Sequence, residues 1–195
     1  LRREESILRD FRSGRVDGVL ISVSGGAKRN SHIHDLCAKK IPLVFFDRVC
    51  EDIDAAKVLT DDFDSGYSAT EHLISKGCRQ IAFLAMSENL SIINHRQRGY
   101  EEALRVHGLQ HNKNLIINCK NSEADCLSLI RRKLKNKNRP DGIVGSVEKL
   151  TTAVYTICNE LKLKIPQDVK VISFSSLQIA SLLNPSLTTI TQPAF

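Results

Sequence analysis

Asp47 and Arg96 are the side chains whose type and position best suit them to hold a polar ligand. Asp47 directly follows the apolar run Leu43-Val44-Phe45-Phe46. A carboxylate at the carboxyl end of a strand in an α/β sheet is placed to accept hydrogen bonds from ligand hydroxyls. Arg96 opens a helix-like stretch, and its planar guanidinium offers a forked set of donors to oxygen atoms. Other polar residues fall at the ends of apolar runs in the same way: Ser22 and Ser24, Arg48, Thr60 and Asp61, Ser87 to Ser91, Glu148 after Val147, and Ser175-Ser176. Loop solvation or helix capping is the competing role for each of them.

Catalytic constellations are missing from the chain. There is no G-x-S-x-G elbow, P-loop, H-E-x-x-H or G-x-G-x-x-G, so no enzyme class or cofactor is indicated. Ser24-Gly25-Gly26 offers backbone amides to an anion, but without a following Lys-Ser/Thr signature it reads as a plain turn between strand and helix. His32 and His34 lack a third ligand nearby and read as a surface loop. Asp61 and Asp62 are adjacent on a strand end, where side chains diverge, so they do not share a site. Six cysteines (Cys37, Cys50, Cys78, Cys119, Cys126, Cys158) are scattered with no C-x-x-C pair. They read as reduced thiols rather than a disulfide framework or a zinc site.

The elements that must position these residues alternate along the whole chain. Apolar, β-rich runs occur at Val19 to Ser22, Leu43 to Phe46, Ala56 to Thr60, Ile81 to Leu84, Leu115 to Ile117, Gly142 to Val144, Val169 to Phe174 and Leu187 to Ile190. Continuous runs of this kind suit strands buried on both faces of a parallel sheet. Helical spacing spans Glu4 to Phe11, Ser65 to Lys76, Arg96 to His107, Ala124 to Leu134 and Thr151 to Leu161, with Gly77 and Gly108 as terminators. Strand-helix alternation predicts a doubly wound α/β fold. The 195 residues, 42% hydrophobic and 26% charged, suit a large domain or two lobes. No apolar run approaches the ~20 residues of a membrane span. The net charge of +6 is concentrated in Arg131 to Arg139, which reads as the solvated end of a helix.

The order of these segments resembles the regulatory domain of lactose-repressor-type (LacI/GalR) transcription regulators along essentially the whole chain. The matching words are Val16-Asp17-Gly18-Val19-Leu20, Ile41-Pro42-Leu43-Val44-Phe45-Phe46-Asp47-Arg48, and Thr60-Asp61 followed by Gly66, Ala69, Thr70, His72, Leu73, Ile74 and Gly77. Further on come Arg79-Gln80-Ile81-Ala82-Phe83, Arg96-Gln97-Arg98-Gly99-Tyr100-Glu101-Glu102-Ala103-Leu104, Pro140-Asp141-Gly142-Ile143, Ile165-Pro166-Gln167-Asp168-Val169 and Asn184 to Pro193. The resemblance implies two Rossmann-like lobes with parallel sheets, of the type I periplasmic-binding-protein architecture, with a small-molecule effector in the cleft between them. By its pattern residues 1–77 form the first lobe without its first strand, 78–189 the second, and 190–195 the start of the return crossover. The DNA-reading helix-turn-helix is expected before Leu1, outside this chain.

Carried over position by position, Asp47 and Arg96 match the family's sugar-contacting acid and arginine. Thr60 and Gln192 also fall at cleft positions, and Ser22, Ser91, Val147 and Ser175, at the ends of apolar runs, complete the candidate effector contacts. The sequence also departs from the pattern. Val147-Glu148 stands where the family has Asn-Asp, and Ser173-Phe174-Ser175-Ser176 where it has Gly-[Phe/Tyr]-Asp-[Asp/Asn]. Cys78 replaces the customary His, and Ala194 an aromatic. Losing a hydrogen-bonding partner weakens binding by ~1–3 kcal/mol, so these changes imply a smaller or less polar effector than an ordinary sugar, or a site that has drifted from sugars. The implied protein is a cytoplasmic homodimer, not an enzyme, responding by population shift, with no membrane partner. Leu177, Ile179, Leu182 and Leu183, with the Glu4 to Phe11 helix, are candidates for its two-fold interface, and core packing is the alternative for them. Two other readings share the fold: a sugar-binding protein of a transporter, and a regulator answering a partner protein.

Overall fold

In the computed structural model, the described residues are 2–11, 16–24, 30–86, 90–119, 122–176 and 179–191. They fall into two compact units, Leu1–Thr60 with Glu88–Asn94, and Asp61–Ser87 with His95–Phe195. Among them no helix is long and apolar enough to cross a membrane.

The first unit contains α1 (Arg2–Phe11), β1 (Val19–Ile21), α2 (Ser31–Ala38), β2 (Leu43–Phe46) and β3 (Ala56–Val58). Its three strands pair in parallel in the order β1-β2-β3. Val19, Ile21, Leu43 and Phe45 turn one face of the sheet towards Leu8 of α1 and Ile33 and Leu36 of α2, forming one buried cluster. On the opposite strand positions Leu20 is 74% exposed, and Phe46 and Val58 are exposed as well. Two-sided burial, expected from the apolar runs, therefore fails here. The period of two sends alternate side chains to opposite faces, and the described helices cover only one of them. The segment holding His32 and His34 is α2 rather than a loop.

The second unit contains α3 (Asp62–Ser75), β4 (Ile81–Met86), a 3₁₀ turn (Lys113–Leu115), β5 (Ile116–Cys119), α5 (Glu123–Leu134), β6 (Gly142–Gly145), α6 (Glu148–Glu160), β7 (Lys170–Phe174), α7 (Ile179–Leu182), β8 (Thr188–Ile190) and, from His95 on, α4 (Ser91–Val106). Its sheet is wholly parallel, ordered β5-β4-β6-β7-β8. Here the inner strands β4, β6 and β7 are buried on both sides, as continuous hydrophobicity predicts, while the edge strands β5 and β8 are partly exposed. Ala82, Leu84, Ile117, Ile143 and Val171 pack with Ile130 and Leu134 of α5 and Val154 and Ile157 of α6. On the other side Phe83 meets Tyr100 of α4 with ring centroids 5.3 Å apart, and the Tyr100 hydroxyl donates to the Ile81 carbonyl at 2.8 Å.

Several of the sequence words have local reasons. Gly77 and Gly108 take φ of +88° and +66° directly after α3 and α4, the left-handed stop for which glycine has no Cβ penalty. The Asp141 carboxylate of Pro140-Asp141-Gly142 accepts from the backbone N–H groups of Arg79 and Gln80, at 2.9 Å for the shorter contact to each, which aligns the start of β4 beside β6. The basic stretch lies in the last turn of α5 and beyond, where Arg131 pairs with Glu160 at 2.7 Å.

Candidate functional site

The most developed polar cluster of the second unit is built around Arg96. Because α4 starts at Ser91, Arg96 sits inside the helix rather than opening it, and it is only 4% exposed. Its Nε donates to Asp62 Oδ1 at 2.8 Å and its Nη1 to the Ser146 carbonyl at 2.8 Å. The guanidinium carbon lies 4.1 Å from the centroid of the Phe174 ring, a cation–π contact made with little competing water. Asp61 and Asp62 do divide their tasks. Asp61 caps α3, accepting from the Asp64 N–H at 2.8 Å. Asp62, 5% exposed, turns inward to the arginine. Ser146 follows β6 and its Oγ accepts from the Met86 N–H at 3.2 Å. Arg96 thus ties α3 to the carboxyl ends of β6 and β7.

Beside it, Ser175 follows β7 and donates its hydroxyl to the carboxylate of Glu148, the first residue of α6. Thr151 Oγ1 and Ser173 Oγ are 2.7 Å apart behind this pair. Position 175 has lost the aspartate that the resemblance implies, yet a carboxylate still stands at that strand end, supplied from α6. Val147, the cap position of α6, makes no side-chain capping bond and packs against the apolar cluster under α5 and α6.

In the first unit Asp47 directly follows β2 with φ of +59°, a left-handed posture that Asp tolerates better than most side chains. The Asp47 N–H donates to the Val58 carbonyl at 3.2 Å. Ser22, directly after β1, donates its hydroxyl to Asp47 Oδ2 at 3.3 Å, and Arg48 Nε stands 3.5 Å from the same oxygen. The carboxylate is held half-buried between two strand ends, oriented by a hydroxyl and a guanidinium.

Glu4 anchors α1 nearby. Its Oε2 accepts from the Ser24 N–H and its Oε1 meets His32 Nε2, both at 2.8 Å. Burial pushes the Glu4 carboxyl up, but the hydrogen bonds from Ser24 and His32 and the charge of His32 outweigh it and hold the group below the ordinary value of 4.5. A depressed folded-state value means the stabilisation is complete above pH 4.5 and is lost as pH falls through the lower value. Glu4→Gln should therefore cost about 2 kcal/mol at pH 7. In melts followed from pH 7 to pH 3, its deficit against the parent should shrink as pH falls below 4.5. A deficit that stays constant with pH would show that the Glu4 charge plays no part.

Comparison with known proteins places this arrangement. A model of the periplasmic binding protein-like domain matches residues 70–194. The chain belongs to that family. It is similar to the HTH-type transcriptional repressor PurR of Photobacterium profundum, 28% identical over 98% of this chain, and to the ribose operon repressor of Haemophilus influenzae, 27% identical over 98%. It spans 57% of the length of each. In structure it is similar to a LacI-family regulatory protein from Chloroflexus aggregans, with TM-score 0.85 and 29% identity over 96% of this chain and 67% of that one. The resemblance to LacI/GalR regulators, and the α/β fold with parallel sheets that it implies, are borne out.

Thr60 and Ser91 are half-buried, Ser91 as the first residue of α4. Leu182 of α7 is 80% exposed, whereas Leu183 packs against the apolar cluster of the second unit. Leu177 and Gln192, and the side chain of Ile179, lie outside the described residues. Asp62, Ser146 and Phe174, the three partners of Arg96, were not recognised as part of a site in the sequence. Only their position at strand and helix ends signalled it. Among the described residues no group of three or more His, Cys, Asp or Glu side chains is placed to hold a metal ion.

Proposed function

We propose that this domain is the effector-sensing part of a LacI-type DNA-binding transcription regulator, and that its effector is a small polar molecule such as a sugar or a related metabolite. The observation that carries the reading is Asp47, a half-buried carboxylate set in left-handed backbone at a parallel strand's carboxyl end and oriented by Ser22 and Arg48. Ligands of open α/β sheets bind at such ends. The repressor relatives support a binding role rather than a catalytic one. Arg96, Ser175 and Glu148 contribute at the strand ends of the second unit, with Thr60, Ser22 and Ser91 as further contacts. The effector acts by binding one conformation of the regulator better than another, which shifts their populations. DNA reading by a helix-turn-helix, assembly as a homodimer and a cytoplasmic setting belong to the same proposal.

Glu148 refines the effector's chemistry. With the carboxylate at that strand end set on α6 rather than at position 175, the site favours a ligand whose donor groups match the displaced acceptor. A thermal-shift screen of pentoses, hexoses and disaccharides, followed by calorimetric titration of the best ligand, tests this. Asp47→Ala and Glu148→Gln should each weaken binding at least about 10-fold, the loss of a hydrogen bond to a charged group. Unchanged affinity in both variants would remove these residues from the site. Absence of any shift across the panel would count against the sugar class.

A further inference from the structure

We propose that Cys119 and Cys126 form an intramolecular disulfide on exposure to a low-molecular-weight disulfide, making this corner of the second unit an oxidisable site. Cys119 ends β5 and Cys126 lies in the opening turns of α5. Their sulfurs are 2.6 Å apart, well inside van der Waals contact, and both side chains belong to the apolar cluster beneath α5 and α6. Scattered spacing along the chain hides the pair. β5 and α5 pack against each other, and that packing brings two otherwise unrelated thiols together. The other cysteines have different surroundings. Cys78 donates to the Asp141 carbonyl at 3.4 Å, and burial pushes the thiols of Cys50, Cys78 and Cys158 up to about 11.

The chemistry is thiol–disulfide exchange. One cysteine loses its proton and attacks a sulfur of the small disulfide, breaking that S–S bond and releasing one small thiolate. The second cysteine loses its proton and attacks the protein-side sulfur of the mixed disulfide, releasing the other small thiolate. The two protons end on the two small thiols, so the protein pair is oxidised by two electrons and the small disulfide is reduced by two. Burial, followed by the hydrogen bond from Cys126, raises the Cys119 thiol well above its ordinary value, so the reaction waits on local opening of the β5–α5 corner and is slow. Once formed, the bond closes a short loop and constrains the unfolded chain.

The test uses the whole chain, reduced and then held at pH 8.5 with excess oxidised glutathione, alkylated under denaturing conditions and cut with trypsin. Cleavage after Lys120 separates Asn114–Lys120 from Asn121–Arg131, each holding one cysteine. The expected product is this peptide pair joined by a bond that reductant releases, with the other four cysteines alkylated and the chain's Tm raised on the order of 5 °C. Cys119→Ala should abolish the joined pair and leave Cys126 as a free thiol or a glutathione adduct. Alkylation of all six cysteines after oxidation, adducts without a bridge, or a bridge between other cysteines would each overturn the proposal. The parent chain's peptide map gives this answer even where the alanine variant fails to fold.

Discussion

Gly99→Ala should be the most damaging single-methyl change in this chain, costing at least about 3 kcal/mol, beyond the ordinary range for overpacking because backbone stands in the way. A Cβ at position 99 would lie 2.0 Å from the Phe63 carbonyl oxygen and 2.6 Å from the Tyr67 nitrogen. The same crossing is closed from the other side, where a Cβ on Gly66 would lie 2.1 Å from the Arg96 carbonyl oxygen. These obstacles belong to helices, so α3 and α4 must separate. Separation would pull Asp62 from Arg96 and loosen Tyr100 against Phe83. Glycine inside a helix costs about 1 kcal/mol relative to alanine, and this crossing explains why two are retained. Gly77→Ala is the control. Among the described residues nothing lies within 4 Å of a Cβ placed there, so only the left-handed backbone is penalised, at about 1–2 kcal/mol. Denaturant melts followed by circular dichroism compare the two, and equal losses would refute the close-crossing account.

Arg96→Met is expected to destabilise by about 3–5 kcal/mol, because it leaves the Asp62 carboxylate buried without its counter-charge. For a chain of this size that corresponds to a fall in Tm of roughly 6–20 °C. Arg96→Lys should recover only part of it, since one ammonium cannot reproduce a fork reaching Asp62, the Ser146 carbonyl and the Phe174 face together. Asp62→Leu combined with Arg96→Met should restore most of the stability, as apolar replacements of buried ion pairs commonly do. That double variant also separates the two roles open to Arg96. If the guanidinium contacts effector, the double variant folds and binds at least about 10-fold more weakly. If it only braces α3 against the strand ends, the double variant binds as the parent does. Failure of the double variant to regain stability would show that the loss comes from packing rather than from an orphaned charge.

Strand positions were legible because apolar runs bounded by turn residues are a local signal. β2 occupies Leu43–Phe46 as read, and β4, β6 and β7 differ from their readings by two residues or fewer. Helix starts were less legible. α4 begins five residues before Arg96, and α3 and α6 each begin three residues before their apolar periodicity does. First turns are rich in polar capping residues such as Asp61, which periodicity does not register. α2 was missed altogether, since Ser31–Ala38 is only eight residues long and its buried face, His32, Ile33 and Leu36, offers too few apolar positions for a period to register. Asp47 could be singled out because it adjoins its own strand. Asp62 could not be matched to Arg96, which is 34 positions away.

The alternation of apolar runs and helical spacings determined by itself that this is a parallel α/β chain, because each depends on neighbours within a few residues, and the ordered words carried the resemblance to lactose-repressor-type regulators. The tertiary structure alone decided which polar groups meet. It buried Arg96 between Asp62 and Phe174, set Glu148 against Ser175, joined Glu4 to His32 and brought Cys119 to Cys126. Those pairings follow from sheet register and helix crossing, properties of distant segments packed together. A site assembled from several strand ends therefore becomes visible only once the strands are side by side.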